Sequence, residues 1–278
     1  MDLIVTLQCK DQPGIVHAMT TSVLESRGNI IENQQFTDPT TLDFVMRTRF
    51  ETESSIEDVK KILNAGLGKF NPILNFRPVS QKKRALVLVT KESHCLRDLL
   101  YLQELGELPI DIPAVISNHN ELRTITESHS IRYISQEGKD KASVESEIRT
   151  LIKSENIDLI ILARYMQILS KEFCMEFSGK IINIHHSFLP SFKGANPYRQ
   201  AYDRGVKVIG ATAHFVTADL DEGPIIDQDV AHVSHAATPD DLVSTGRDIE
   251  RRVLSRAVKD FAEDRIFIVG EKTVVFRN

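Results

Sequence analysis

The sequence is short of the features that mark secreted, metal-stapled or membrane proteins. It has three cysteines, Cys9, Cys95 and Cys174, in 278 residues. They lie far apart with no C-x-x-C pair, which argues against a disulfide framework or a zinc site and fits a reducing, cytoplasmic setting. Long apolar runs are missing, and stretches such as 85–89 and 159–163 are far too short to span a bilayer. The start, MDLIVTLQCKDQPG, has no basic segment followed by a cleavable apolar one, so no leader is expected. No long Lys/Arg run or basic helix occurs and the formal net charge is −5, so neither nucleic acid nor an anionic membrane is an expected partner. No internal repeat or low-complexity tract is visible. What is present, 41% hydrophobic and 26% charged residues, is an ordinary globular composition long enough for about two domains.

The polar run Ser80-Gln81-Lys82-Lys83-Arg84 divides the chain into residues 1–80, a linker at 81–84, and residues 85–278. Before it, strand signals at 3–8, 30–37, 42–50 and 73–79 and helix signals at 15–26 and 54–65 give the order βαββαβ, a ferredoxin-like split-βαβ module. Pro13 suits a helix first turn, and Arg27-Gly28 stops that helix. After the break strands alternate with helices. Strands are expected at 85–89, 114–117, 157–163, 181–184 and 207–216, and helices at 96–105, 120–127, 142–154 and 238–263. A closing hairpin at 266–276 turns at Gly270-Glu271. The continuous apolar strands predict an open α/β, mostly parallel, Rossmann-like sheet, whose sites lie beyond the carboxyl ends of its strands.

The segment from Lys180 to Asp229 holds the chemistry. Asn183 and His185 are two apart on a predicted strand and project to one face. Asp221, in the turn Asp221-Glu222-Gly223-Pro224, is within reach of the same spot through a loop. An amide, an imidazole and a carboxylate together suit polarising a carbonyl and managing a proton. Taken singly, each has an ordinary structural reading as a strand-end histidine or a turn residue. His214 faces the same way as Thr212 and Val216, and is either a partner of this group or a satisfied core histidine. His185 and His186 are adjacent on a strand, so they are expected to face apart and not to share an ion; no metal site is predicted. No G-x-S-x-G surrounds Ser187, and Cys95 beside His94 reads as packing at a helix start, not as a nucleophile.

Several motifs occur together and in order: Asn183-Ile184-His185, Ser187-Phe188-Leu189-Pro190, Phe192-Lys193-Gly194, Ala213-His214-Phe215-Val216 and Leu220-Asp221-Glu222-Gly223-Pro224-Ile225-Ile226. They resemble the signature of the folate-dependent formyltransferase superfamily over most of residues 85–278. Ala163-Arg164-Tyr165-Met166-Gln167-Ile168-Leu169-Ser170 is similar to that family's folate-side loop. Asp11-Gln12-Pro13-Gly14-Ile15-Val16 resembles the start of an ACT regulatory domain. The resemblance implies a formyltransferase fold with Asn183, His185 and Asp221 as catalytic residues. It implies a folate pocket from Met166, Gln167, Ile168 and Leu169 with Thr217 and Asp219, supported by His186 and His214. The ACT likeness implies an amino-acid effector, with Gly14 and Asn29 near the turns where such ligands bind, and a homo-oligomer, dimer or tetramer. Gly14 taken alone reads as a residue that permits a tight turn.

The combination implies hydrolysis of 10-formyltetrahydrofolate to tetrahydrofolate and formate, supplying formate for purine synthesis and balancing the one-carbon pool. The folate is then substrate, and no separate cofactor is expected. Asn183 and His185 would donate to the formyl oxygen, each such donor being worth about 3–4 kcal/mol in barrier, while Asp221 takes a proton from water. Relatives that formylate glycinamide ribonucleotide carry a Gly-Ser-Gly-Thr-Asn-like turn that holds a phosphate on free N–H groups. Thr90-Lys91-Glu92-Ser93-His94-Cys95-Leu96 has no glycine, and Glu92 would repel the phosphate. Water is therefore the expected acceptor. The alternatives are formyl transfer to an amine such as glycinamide ribonucleotide, and a non-catalytic folate or amino-acid sensor.

Overall fold

The structure, a computed structural model, describes residues 1–189 and 197–277. Pro190 and the Phe192-Lys193-Gly194 motif lie outside the described residues. The chain forms two compact units, Met1–Lys82 with Asp264–Asn278, and Lys83–Glu263.

The first unit runs β1 (Asp2–Lys10), α1 (Ile15–Glu25), β2 (Gly28–Thr37), β3 (Asp43–Thr52), α2 (Ile56–Leu67) and β4 (Ile73–Pro78). Its four strands are antiparallel in the order β2-β3-β1-β4. Alternation along β1 sends Leu3, Val5 and Leu7 to one face, where they meet Met19 and Val23 of α1 and Val59, Leu63 and Leu67 of α2. The i, i+4, i+8 spacing of those α2 residues forms its buried stripe, and Ser55 caps the helix by accepting from the Asp58 N–H. Gly14 precedes α1 at φ 96°, a left-handed conformation that favours glycine.

The second unit runs β5 (Lys83–Val89), α3 (His94–Glu104), β6 (Ile110–Ser117), α4 (Arg123–Ser128), β7 (Arg132–Ser135), α5 (Lys141–Ser154), β8 (Leu159–Leu162), α6 (Lys171–Glu176), β9 (Ile181–His185), α7 (Pro197–Asp203), β10 (Val208–Phe215), β11 (Ile225–His232) and α8 (Pro239–Ala262). Among the described residues its seven strands take the order β11-β10-β9-β8-β5-β6-β7. The five from β9 to β7 are parallel, and β10 is antiparallel to both its neighbours. The sheet is mixed and mostly parallel. Residues 85–89 of β5 and all of β8 are buried, which is why those segments read as unbroken apolar runs. Four elements lie where the sequence pattern shows none. β7 and α6 have four and six residues, too few to display a period. α7 is a seven-residue helix, and β11 is an edge strand alternating with polar residues.

The predicted hairpin forms as β12 (Ile266–Val269) and β13 (Lys272–Val275), but its place corrects the 85–278 boundary. Phe267 and Val269 pack on Val45, whose side chain leaves β3 on the face opposite the helices. Gln8 Nε2 donates to the Ile268 carbonyl at 3.0 Å, and Arg265 pairs with Glu32 at 3.0 Å. The hairpin therefore covers the second face of the first sheet, a destination that its own sequence does not encode. No described helix is long and apolar enough to cross a membrane.

Candidate active site

β8 and β9 run in parallel, and their carboxyl ends open on the same side of the sheet. β10 returns antiparallel beside β9, in a register that sets Thr212 opposite His185 and His214 opposite Asn183. Directly opposed residues share a face, so Asn183, His185 and His214 stand together. The chain then turns back and delivers Asp221, at φ 58°, to the same place. That turn depends on Gly223, because a Cβ there would collide with the Phe215 carbonyl oxygen. The Phe215 N–H donates to the Pro224 carbonyl at 2.9 Å and closes the loop.

His185 Nδ1 lies 3.3 Å from Asp221 Oδ1, and His214 Nε2 lies 3.7 Å from the same oxygen. His214 Nδ1 is 2.9 Å from the Phe215 carbonyl, so that nitrogen carries the hydrogen. Burial pushes the His214 pKa down and keeps the ring neutral. Its Nε2 is then an acceptor, and Asn183 Nδ2 donates to it at 3.2 Å. This fixes which end of the Asn183 amide is the nitrogen and leaves its second N–H free for a ligand oxygen. The hydrogen bond from His185 pulls the Asp221 pKa below 3.8 against the opposing effect of burial, so Asp221 is a carboxylate at neutral pH. His185 Nε2 is buried without a hydrogen-bond partner among the described residues.

These groups line one wall of a cavity of about 300 Å³. Met166, Gln167, Ile168 and Leu169 line it from the loop after β8, and Thr217 from the loop after β10. Thr90 Oγ1 anchors the first loop by accepting the Met166 N–H at 2.9 Å. Met166, Ile168 and Leu220 are exposed, so the mouth is apolar, as a flat ring ligand would require. Asp219 is not among the lining residues. It is exposed, and its backbone carbonyl accepts from Thr217 Oγ1 at 3.0 Å, so it shapes the turn. His186 does not face away from His185 as strand alternation predicts. β9 ends at His185, the period is lost there, and the two rings lie 5.2 Å apart on the same cavity. Burial and the neighbouring Arg164 charge push the His186 pKa down to about 4.

Sequence reasoning passes over a second polar group beside this wall. Glu250 of α8 is buried, accepts from Tyr198 Oη at 2.5 Å, and lies 2.7 Å from His94 Nε2 and 3.4 Å from Arg164 Nε. Burial raises its pKa, but His94, Arg164 and Tyr198 outweigh this and the net displacement is downward. One signal was available: Glu250 falls on the buried stripe of α8, four residues from both Gly246 and Leu254. His94, Cys95 and Glu250 are close enough together to hold a cation, but both Glu250 oxygens already have partners and one is the Arg164 cation. Burial, then the Glu250 charge, push the Cys95 thiol well above its usual range, which suits packing and not nucleophilic attack.

A family model described as "Formyl transferase" matches residues 83–258. The chain is 45% identical over 277 residues to the formyltetrahydrofolate deformylase of Bacillus subtilis (strain 168), covering 97% of this chain and 92% of that one. It is 43% identical over 281 residues to the formyltetrahydrofolate deformylase of Corynebacterium sp. (strain P-1), covering 99% and 98%. The crystal structure of formyltetrahydrofolate deformylase from Burkholderia mallei ATCC 23344 superposes with a TM-score of 0.95 at 39% identity, covering 99% of each chain. The chain belongs to the formyl transferase family and, within it, to the formyltetrahydrofolate deformylases.

Proposed function

We propose that this chain hydrolyses 10-formyltetrahydrofolate to tetrahydrofolate and formate, with Asn183, His185 and Asp221 as the catalytic residues. The observation that carries the reading is the convergence of these three side chains on one cavity faced by the apolar 166–169 loop. The formyl group sits against Asn183 and His185, with the ring system between the two loops. The free N–H of Asn183 and the His185 Nε2–H donate to the formyl oxygen. His185 Nδ1 faces the Asp221 carboxylate at 3.3 Å, which orients the ring and leaves Nε2 towards the formyl group. Asp221 orients the water and accepts its proton as oxygen bonds to the formyl carbon. Collapse of the tetrahedral intermediate breaks the C–N10 bond, N10 takes up a proton, and formate leaves. The scheme uses the folate as substrate and asks for no further cofactor.

The turn after β5 contains no glycine, which favours water over glycinamide ribonucleotide as acceptor. Formate release from 10-formyltetrahydrofolate is expected with no amine present. Turnover that begins only after glycinamide ribonucleotide is added overturns the reading.

The βαββαβ order and antiparallel sheet of the first unit support an ACT-type module for an amino-acid effector and for a homo-oligomer, dimer or tetramer. Repeating the formate assay with glycine and with methionine, and measuring mass by light scattering, tests this. A rate indifferent to both amino acids and a monomer in solution would sink it.

A further inference from the structure

The buried polar group beside the catalytic wall has no role in the hydrolysis described above, yet its geometry bears on what reaches the formyl carbon. The hydroxyl end of the Tyr198 ring lies against the bare backbone of α8 at Gly246, where a Cβ would collide with it. Glycine within a helix is unfavourable, so its presence marks a close approach. The hydroxyl is tied to Glu250 at 2.5 Å, and Glu250 is itself held by His94 and Arg164. The other side of Tyr198 faces His186, with ring centroids 6.3 Å apart, and His186 in turn sits 5.2 Å from His185. Tyr198 is thus fixed at both ends and backs the residue adjoining the catalytic imidazole. Where His186 and Tyr198 meet Phe188 and Gly210, the free space is about 30 Å³. That is room for a water molecule or two and too little for an organic amine.

We propose that Tyr198 sets acceptor choice: locked between Gly246, Glu250 and His186, it fills the space behind His186, the neighbour of His185, into which an amine acceptor would have to extend, so that water alone attacks. The inference deepens the hydrolytic reading and rests on it. Removing the ring opens that space. A primary amine can then attack the formyl carbon, forming its own C–N bond as the C–N10 bond breaks. N10 takes the proton the amine loses, and an N-formyl amine leaves in place of formate. Tyr198 touches neither folate nor the reacting atoms, so it acts as a positioning residue that determines specificity.

The test measures N-formylglycinamide and formate together, with glycinamide as the probe amine, in wild type, Tyr198→Ala, Tyr198→Leu and Tyr198→Phe. Wild type and Tyr198→Phe, which keeps the ring, are expected to give formate only. Tyr198→Ala is expected to raise the ratio of N-formylglycinamide to formate by at least about tenfold, the scale of one steric element in a pocket. Tyr198→Leu carries the same expectation should the alanine variant not fold. An unchanged ratio in folded Tyr198→Ala or Tyr198→Leu overturns the proposal, as does wild type that formylates glycinamide equally well. Loss of both products in parallel also overturns it, because Tyr198 would then serve rate and not choice. Absence of formate from wild type without amine removes the hydrolytic reading itself, a separate outcome.

Discussion

Asp221→Asn isolates the proton-accepting step with little change of shape. The carboxylate is half-buried and its Oδ1 faces both His185 at 3.3 Å and His214 at 3.7 Å. Asparagine keeps an oxygen for the His185 Nδ1–H, so the ring stays in place while the negative charge and the base are lost. A positioned general base contributes about 10²–10⁴-fold, which is roughly 3–5 kcal/mol of barrier at 1.36 kcal/mol per decade. The expected result is a fall in kcat of that size, read as formate release, with folate affinity by equilibrium fluorescence within about threefold of wild type, or under 1 kcal/mol. The pH dependence adds a second readout. The folded pKa of Asp221 is depressed below 3.8, so its charge contributes stability that is present above the unfolded carboxylate pKa of about 3.9 and lost as pH falls through the folded value. Above that window wild-type hydrolysis keeps its base. A folded Asp221→Asn protein retaining more than about a fifth of wild-type kcat, well outside the range expected for a lost base, would refute the assignment.

Other perturbations test neighbouring parts of the structure. Glu250→Gln leaves Arg164 buried without its carboxylate, and breaking such a pair costs about 3–5 kcal/mol; calorimetry should show the second unit melting several degrees lower, and an unchanged transition would mean Arg164 is solvated. The His186 pKa lies near 4, below the unfolded value near 6.5, so the unfolded chain binds the proton first and stability falls as pH drops from about 6.5 to about 4, by on the order of 3 kcal/mol. Urea midpoints at pH 7 and 4.5 should converge in His186→Asn, and an equal pH slope in both proteins contradicts this. Gly223→Ala sets a methyl against the Phe215 carbonyl and should displace Asp221, lowering kcat by at least about tenfold while the melting temperature moves only a few degrees; wild-type kcat in that variant would show that the turn has slack.

What could be read from the chain, and what could not, separates by the range of the physics involved. The period-two placement of Asn183 and His185 is local, and both residues do project from one face of β9. The buried parallel strands announce themselves because both of their faces are covered. His214 stayed ambiguous because its role depends on register: only its position across from Asn183 turns a buried ring into an acceptor that orients the amide. His186 escapes the pattern because alternation holds only as far as the strand does, and β9 stops one residue earlier. The Arg164, Tyr198 and Glu250 group joins residues up to 86 positions apart (250 − 164), with no pattern linking them in sequence. The hairpin at 266–276 is legible as a hairpin, but its partner is Val45 of a distant strand, which only tertiary packing reveals.

The reversal of β10 explains why the candidate site assembles at this end of the sheet. In a wholly parallel arrangement, a crossover after β9 would bring the next strand back in the same direction, and its carboxyl end would carry one more loop beside the existing ones. Here β10 runs the other way, so its last residues pass the first residues of β9, and His214 meets Asn183 directly across the ladder. The loop after β10 then has only to fold back over the strand it has left, a fold held by Gly223 against Phe215, for Asp221 to return to His185. Two residues come from one strand by alternation, a third from its antiparallel neighbour by register, and the carboxylate from a turn whose shape depends on one glycine. A one-residue slip of β10 against β9 would send His214 to the opposite face, unfix the Asn183 amide and withdraw Asp221 together, so the register of this single strand pair sets the geometry of the whole site.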